Sequence, residues 1–495
     1  MKLYLCFYIK NNLILIVFII SYQLISFGKS RYLIMNFSSI NFINNISYDF
    51  MSLIFNNAIY SNLSIGTPPQ NLKVILSASE QTFYITKKTY NYSLSSTYKG
   101  GKNPEVFFLD NILSGSKGND LATFNLISKN NLMTNSTLLE FAFVYSIKYN
   151  LEKKIDGKIG LQLKVPNYIG IPNFIDNLKK NKFINTYKWT LIYNTKDNNK
   201  CDNYWKKLLY KDSYGEFSIG FDEDEYNDIF HIELKDYEIK SVKAEKDKDK
   251  INWSLYFEDI YLIGKKVNKN NFISKEKDIN RKYLHNKLAD LLITNEYNIG
   301  TKEFEKLINE QFFNNYFEKD ICYIKNIIYD YSYEKFFYYK CDNNTGKFFL
   351  ENFPNIYFVH NDLNYTFELT YKDLFYTYIN DTTKHIFYFN IVFSNSGRNK
   401  WSFGKPFLSK YLFIFEYDQK LIHLLRLKQS TNKKDNKKII TTIKLITIII
   451  LFIVLGSLIF FGGTLLGEKY VLYKKRKRKV ANELEFEVFF DNNIN

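Results

Sequence analysis

The chain has 495 residues, of which 46% are hydrophobic and 18% aromatic, and its formal net charge is +16. A chain of this length and composition can bury one large or two medium cores, which excludes a disordered tail. Lysine, asparagine, isoleucine and tyrosine are abundant along the whole chain, acidic runs such as 221–228 interrupt the basic residues, and no zinc-ligand or RNA-reading motif occurs. The charge therefore does not indicate nucleic-acid binding.

Residues 1–30 have the pattern of a secretory signal peptide. Lys2 and Lys10 lie before or at the start of an apolar run, 12–28, which ends in small residues. We expect this segment to direct the chain into the secretory pathway. An uncleaved membrane anchor is the alternative.

From 58 to 427, short runs rich in Tyr, Phe, Ile and Val alternate with Asn, Asp, Gly and Lys, which predicts a mostly β structure. Apolar residues recur at three- and four-residue spacing in 173–180 and 301–313, and this pattern predicts helices. Two polar stretches, 240–251 and 268–282, are interpreted as surface loops or insertions.

The sequence of the C-terminal region predicts a membrane anchor. Residues 445–466 are apolar and uncharged, which is long enough for a helix to cross a hydrocarbon core of ~30 Å. Basic residues follow at 474–479 and also precede the span at 433–438, so the signal peptide decides the orientation. We expect a juxtamembrane stalk at 429–444, a transmembrane helix at 445–466 and a cytoplasmic tail at 467–495. The preceding domain would then be luminal or extracellular, in the secretory pathway or at the cell surface.

Cysteine spacing predicts one disulfide. Cys322 and Cys341 are 19 residues apart and can close a hairpin-sized loop in an oxidising compartment, whereas Cys6 lies in the signal peptide. Cys201 is then left unpaired.

Seven motifs occur in an order that identifies a family. "IGTPPQ" (65–70) is the most specific, because Gly66 and the two prolines fix a tight turn between two strands. The others are "SSTY" (95–98), "IDGKIGLQL" (155–163), "GEFSIGF" (215–221), "WSLYFEDIYLIG" (253–264), "FPNIYF" (353–358) and "WSFGKPFLSKYLFIFEYDQKLIHLL" (401–425). Together they resemble the pepsin-like aspartic proteases, and the plasmepsins in particular.

The resemblance implies a mostly β, bilobal pepsin-like fold, to which this chain adds the C-terminal transmembrane helix. The N-terminal lobe would occupy 31–225 and the C-terminal lobe 226–428, with an extended peptide-binding cleft between them. Catalysis in such a fold requires one aspartate from each lobe, and the two share a proton and a water.

The first aspartate position of the family is occupied by serine. In the stretch "VILSASEQTFYI" (74–85), Ser77 stands at the aspartate, Ala78 at the supporting threonine and Ser79 at the glycine. Serine cannot act as the base on the water, and no paired histidine is evident that would activate it as a nucleophile.

The second aspartate position is also lost. In 288–308 the aspartate falls on Ile293, or on Leu292 if the register shifts by one, and neither side chain ionises. Using Asp290 instead would misplace the following strand and helix. No Asp-Thr-Gly or Asp-Ser-Gly triplet occurs anywhere in the chain.

The flap and the closing motif change as well. Ile112 stands where the family's flap tyrosine belongs, although Gly115, Ser116 and Gly118 keep the glycine-rich character of the hairpin. In the closing motif, lysine (Lys405) replaces the family's aspartate.

Two glutamates keep an enzymatic alternative open. In the Ile293 register, Glu80 and Glu296 both occupy the third position after a lost aspartate, so the pseudo-twofold of the fold could bring them together as a displaced dyad. The other interpretation is that both are solvated loop residues.

The sequence thus favours a membrane-anchored, catalytically inactive pepsin-like protein that binds a protein or peptide ligand in the interlobe cleft, without cofactor, metal or nucleic acid. The alternatives are an atypical endopeptidase that uses Glu80 and Glu296, and a structural receptor that acts through its insertions or its basic tail.

Overall fold

The structure is a computed structural model of the chain. It describes residues 32–41, 50–100, 112–128, 131–147, 155–163, 173–194, 214–247, 250–264, 283–292, 295–327, 334–342, 348, 350–381, 384–428 and 470–478. The chain divides into two units, Met1–Leu427 and Lys428–Asn495. In the second unit the described residues, 470–478, are helical and exposed.

No helix among the described residues is long and apolar enough to cross a membrane. The predicted signal peptide at 1–30, the predicted stalk at 429–444 and the predicted transmembrane helix at 445–466 all lie outside those residues.

Strands dominate the first unit. They are β1 (Tyr32–Asn41), β2 (Asn57–Ile65), β3 (Gln70–Ser77), β4 (Tyr84–Thr86), β5 (Lys99–Gly100), β6 (Ile112–Ser128), β7 (Asn131–Ile147), β8 (Gly157–Gly160), β9 (Lys188–Tyr193), β10 (Tyr214–Ile219), β11 (Tyr237–Lys243), β12 (Lys246–Asp247), β13 (Lys250–Ile251), β14 (Ser254–Ile263), β15 (Tyr283–Leu291), β16 (Asn298–Ile299), β17 (Cys322–Asn326), β18 (Phe336–Asp342), β19 (Asn355–His360), β20 (Tyr365–Leu369), β21 (Phe375–Asp381), β22 (Lys384–Phe389), β23 (Ile391–Ser394), β24 (Trp401–Phe403), β25 (Leu412–Glu416) and β26 (Leu421–Leu427).

The helices are short. They are α1 (Phe50–Phe55), α2 (Phe174–Lys180), α3 (Tyr226–Phe230), α4 (Lys302–Ile308), α5 (Asn314–Phe317), α6 (Tyr371–Leu374) and α7 (Lys405–Leu408), and a π-helical turn, Asn309–Phe313, joins α4 to α5. The two helices predicted from the sequence are confirmed as α2 and α4. Each begins with a side-chain cap, because Asn173 accepts a hydrogen bond from the backbone N–H of Asp176 and Thr301 accepts one from that of Phe304.

Two large sheets build the two lobes. The first has 13 strands in the order β11-β26-β25-β9-β10-β1-β2-β3-β8-β4-β7-β6-β5, and the second has 11 strands, of which ten follow the order β20-β19-β14-β15-β24-β16-β23-β18-β22-β21 and β17 pairs with β18. The architecture is therefore mostly β and bilobal, as the sequence predicts.

The first sheet continues across the lobe boundary. Strands β25 and β26 come from the end of the chain, yet β25 pairs with β9 and β26 with β11. Strands from before and after residue 225, the predicted boundary between the lobes, therefore belong to the same sheet.

Aromatic side chains fill the junction between the lobes. Trp189 stacks on Phe415 with 4.4 Å between ring centroids, and Trp253 meets Trp189 edge-on at 5.8 Å. The indole Nε1 of Trp253 donates to the backbone oxygen of Leu161 at 2.7 Å, which satisfies the polar atom of this buried side chain. The junction is thus an aromatic core that this hydrogen bond crosses.

Cys322 and Cys341 form a disulfide, as their spacing predicts. The two residues lie directly opposite each other on β17 and β18, so the bond links neighbouring strands of the C-terminal lobe. Cys201 lies outside the described residues.

The loop prediction for 240–251 is wrong. Residues 240–243 belong to β11, and β12 pairs with β13 as a small hairpin. Lys240 and Lys243 lie on β11 at the edge of the first sheet, where charged side chains protect an exposed strand edge. The other predicted insertion, 268–282, lies outside the described residues.

Candidate functional site

A loop in the N-terminal lobe positions Ser77. Strand β3 runs parallel to β8 with Ser77 opposite Gly160, and the chain returns as β4, antiparallel to β8 with Tyr84 opposite Lys158. Strand β8 therefore lies between the strand that enters the loop and the strand that leaves it.

The C-terminal lobe repeats this arrangement. Strand β15 runs parallel to β24 with Leu291 opposite Phe403, and the chain returns as β16, antiparallel to β24 with Ile299 opposite Ser402. The two loops are therefore equivalent by the pseudo-twofold relationship of the lobes.

The pairing register favours Leu292 as the counterpart of Ser77. Leu76 pairs with Ile159, the residue before Gly160, and Leu291 pairs with Phe403, the residue before Gly404. The residue that follows each pair is Ser77 in one lobe and Leu292 in the other. The return strands agree with this register, and Ile293 itself lies outside the described residues.

Both loops require the glycine of the opposing strand. A Cβ atom at Gly160 would lie 2.4 Å from the backbone carbonyl carbon of Gln81, and one at Gly404 would lie 2.2 Å from the backbone oxygen of Tyr297. Each loop therefore packs so closely against the opposing strand that only glycine fits there.

Ser77 is buried at the end of β3, with 6% of its surface exposed. Its Oγ lies 3.2 Å from the Oγ of Ser79, and Ala78 between them is also buried. A pair of hydroxyl groups thus lies at the end of β3, the position that the resemblance assigns to the family's first aspartate.

Glu80 forms an ion pair within its own lobe. Its Oε1 lies 2.7 Å from the Nζ of Lys158, whose side chain is 9% exposed. Lys158 lies on β8, two residues before Gly160, and its ammonium group also lies over the ring of Tyr84 at 5.7 Å.

Glu296 is paired in the same way but is more deeply buried. Its side chain is 1% exposed, and its Oε2 lies 3.2 Å from the Nζ of Lys405. Neither carboxylate oxygen has a hydrogen-bond partner among the described residues, so the interaction with Lys405 is mainly Coulombic. Burial, and to a smaller extent the negative charge of Glu296, holds the pKa of Tyr193 well above its usual value.

Asp290 has its own lysine as well. The Nζ of Lys400 lies 2.7 Å from its Oδ1, and the hydroxyl of Ser254 donates to the same oxygen. The three carboxylates near the two loops are therefore each neutralised by a different ammonium group.

Glu80 and Glu296 do not occupy equivalent positions in the register that the strands adopt. With Leu292 as the counterpart of Ser77, Glu80 corresponds to Asn295 and Glu296 corresponds to Gln81. The symmetry on which a displaced dyad would depend is present only in the Ile293 register.

The structure describes part of the hairpin that the resemblance assigns to the flap. Ile112 is the first residue of β6 and pairs with Ile147, while the neighbouring residues 101–111 lie outside the described range. A Cβ atom at Gly118 would lie 2.9 Å from the Oη of Tyr98, so this glycine allows the tyrosine to pack against the hairpin.

Sequence reasoning overlooked the roles of Lys158 and Lys400 and recorded Lys405 only as a changed motif residue. The available signal was a lysine within two positions of each motif glycine, in "DGKIG" and "FGKPF". Within the described residues, no group of three His, Cys, Asp or Glu side chains is arranged to hold a metal ion.

Residues 58–205 match the family model described as Eukaryotic aspartyl protease. This segment covers β2 to β9 and includes the Ser77 loop. The chain therefore contains a pepsin-like aspartyl protease domain, and the resemblance inferred from the motifs is confirmed over these residues. No curated protein matches the chain.

Proposed function

We propose that this protein is a catalytically inactive, membrane-anchored member of the pepsin-like group whose interlobe cleft binds an extended peptide or protein segment. The observation that carries the proposal is the pairing of Glu80 with Lys158 and of Glu296 with Lys405.

Pepsin-like chemistry requires two carboxylates in near contact that share one proton. Each glutamate is instead engaged by a lysine ammonium group of its own lobe. Ser77 lacks a carboxylate, and Leu292 lacks any ionisable group. The residues at the two loops therefore provide neither the base nor the acid of the reaction.

Binding of an extended chain does not depend on those acids. Main-chain hydrogen bonds to a strand and pockets for alternate side chains are sufficient for capture of a peptide. The frame of both loops is intact, and Ser79 is exposed beside Ser77. These features support retention of a ligand-binding role after loss of the chemistry.

The membrane part of the proposal depends on the sequence. The apolar run 445–466, the basic cluster at 474–479 and the signal-type N-terminus support a single-pass protein of the secretory pathway or cell surface. The basic cluster would also favour contact with anionic lipids.

Incubation of the full-length chain in detergent micelles with a diverse peptide library from pH 4 to 7.5 tests the loss of activity. We expect no cleavage above that of a heat-denatured sample. Cleavage that disappears in Glu80→Gln or Glu296→Gln would refute the proposal. Glu140→Gln is the matched control, because Glu140 also pairs with a lysine, Lys180, at 3.0 Å but on the surface.

Cross-linking of the same library to the uncleaved protein tests the binding role. Ser79→Arg places a bulky side chain at the exposed end of the Ser77 loop, and we expect it to reduce peptide capture at least 10-fold. Ser409→Arg, at an exposed serine after α7, is the control. Equal capture by both variants would exclude the cleft as the binding site.

A further inference from the structure

Three strands of the first sheet carry a connected serine, histidine and glutamate outside the two loops. Ser241 on β11 lies directly opposite His423 on β26, and His423 lies opposite Ile414 on β25, two residues before Glu416. Side chains of opposed residues, and of residues two apart on one strand, project from the same face of a sheet. The register therefore places all three polar side chains on one face.

The distances connect them in series. The Oγ of Ser241 lies 2.7 Å from Nδ1 of His423, and Nε2 of the same ring lies 2.9 Å from Oε2 of Glu416. Glu416 also accepts a hydrogen bond from the side-chain amide of Gln419 through its other oxygen, at 3.0 Å. Both nitrogen atoms of the imidazole are thus engaged.

The carboxylate selects the tautomer of the imidazole. A carboxylate can only accept, so Nε2 carries the proton and Nδ1 is left as the acceptor of the Ser241 hydroxyl. Burial lowers the pKa of His423, while Glu416 and Glu223 oppose this shift and Lys188 adds to it. The ring is therefore a neutral base at neutral pH.

Of the three connected side chains, Ser241 is the one that solvent reaches. His423 and Glu416 are 7% and 9% exposed, whereas Ser241 is exposed. Lys243, two residues further along β11, is also exposed and projects from the same face. It adds a positively charged residue to the face of the sheet that carries the Ser241 hydroxyl.

A simple cross-strand polar contact is the competing explanation. Such a contact would need only Ser241 and His423. Here a buried glutamate fixes the ring and its tautomer, and the nucleophile, base and orienting group stand in the order that activates a serine. The competing explanation also predicts no enhanced reactivity at Ser241, which an experiment can distinguish.

We propose that Ser241 is an activated nucleophile, with His423 as its general base and Glu416 as the positioning residue, and that it reacts with carboxylic esters that have a good leaving group, such as aryl esters. The Ser241 Oγ bonds to the carbonyl carbon, the bond from that carbon to the aryl oxygen breaks, and the hydroxyl proton passes through Nδ1 of His423 to the departing phenolate. Water then hydrolyses the acyl-serine by the same proton path. This inference is independent of the function proposed for the cleft, because the inactivity proposed there concerns peptide-bond cleavage at the two loops.

An alkyl fluorophosphonate tests it on the full-length chain. The Oγ of Ser241 bonds to phosphorus, fluoride leaves, and the proton moves to Nδ1 of His423. We expect a mass-spectrometric adduct on Ser241 that forms at least 100-fold faster than any adduct on the exposed Ser409. Equal reaction of Ser241 and Ser409 in the unmodified protein would overturn the proposal without any variant that could misfold.

Variants separate the roles of the three residues. Ser241→Ala should abolish the adduct, and His423→Gln should slow it about 100-fold, while Ser409→Ala should leave it unchanged. Glu416→Gln removes the group that raises the pKa of His423, so the midpoint of the pH profile of labelling should move to lower pH. An unchanged rate in His423→Gln, or an unchanged pH profile in folded Glu416→Gln, would contradict the assigned roles.

Discussion

The Nζ of Lys158 lies 2.7 Å from Oε1 of Glu80, in the loop that follows β3 and Ser77. The lysine comes from β8, the strand between the two arms of the loop, so the pair links the loop to its supporting strand. Glu80 is thereby held in an ion pair with the strand that supports its own loop.

Replacement of Lys158 by methionine should destabilise the protein modestly. Glu80 is 28% exposed, so water can partly solvate the carboxylate that is left behind, and we expect a loss of about 1 kcal/mol in the free energy of unfolding. Urea denaturation measures the change. Lys180→Met is the control, because Lys180 and Glu140 are 64% and 40% exposed and their pair should contribute less.

Replacement of Lys405 by methionine should have a larger effect. Glu296 is 1% exposed, so removal of its ammonium partner leaves a buried charge without compensation, and we expect a loss of about 3 kcal/mol or more. The double variant Lys405→Met with Glu296→Gln should recover part of this loss, because the charge is removed as well. A double variant that is less stable than Lys405→Met would show that the charge of Glu296 is not the cause.

Stability should decrease as the pH falls below about 6.5, the ordinary pKa of histidine. Burial lowers the pKa of both His423 and His360 in the folded state, so the unfolded chain binds more protons in this range and protonation favours unfolding. The stabilisation is complete above the unfolded pKa and is lost as the pH falls toward the folded values. Thermal denaturation between pH 7.5 and 5 measures the slope.

The variant His360→Asn should flatten this dependence, because a side chain that does not titrate takes the place of the buried imidazole. His231→Asn is the matched control, since His231 is exposed and has a φ of 52°, a left-handed conformation that asparagine tolerates. If both variants keep the slope of the unmodified protein, His360 does not contribute to the acid sensitivity.

Replacement of Trp253 by alanine should weaken the junction between the lobes. The side chain is 1% exposed and packs against Trp189 and Phe415, so its removal leaves a cavity and should cost about 3 to 5 kcal/mol. It also leaves the backbone oxygen of Leu161 without its indole donor. Denaturation by guanidinium chloride tests this, and Tyr214→Ala, at a residue 39% exposed, should change stability far less.

Reduction of the disulfide should also destabilise the protein. The bond closes a loop with a sequence separation of 19, for which loss of the cross-link is expected to cost about 3 kcal/mol. The double variant Cys322→Ser with Cys341→Ser should match the reduced protein in thermal denaturation. If dithiothreitol changes the melting temperature of the double variant by as much as that of the unmodified protein, another cysteine is responsible.

Local patterns in the sequence predicted many of the elements correctly. The helices α2 and α4 were predicted from apolar residues at helical spacing, and the structure adds the capping residues Asn173 and Thr301 at their first turns. The strand β11 was missed because its lysines resemble a loop when the partner strand β26 is not considered. Edge strands are difficult to predict because their charged residues, which protect the sheet edge from pairing with other chains, also occur in loops.

The candidate site was predicted less completely. The letters of the motif predict Ser77 at the first aspartate position, but the choice between Leu292 and Ile293 requires the pairing of β15 with β24. The proposal of a glutamate dyad depended on equal spacing from the lost acids, and the structure instead gives Glu80 and Glu296 a lysine each.

The sequence by itself determined the resemblance to pepsin-like proteases, the loss of the Asp-Thr-Gly triplets and the apolar terminal segments, because these are properties of contiguous residues. Only the tertiary structure decided which charges meet. Glu80 and Lys158 are 78 positions apart, and Ser241 and His423 are 182 positions apart. Such contacts depend on the order and register of strands in a sheet, which the spacing of residues along the chain does not specify.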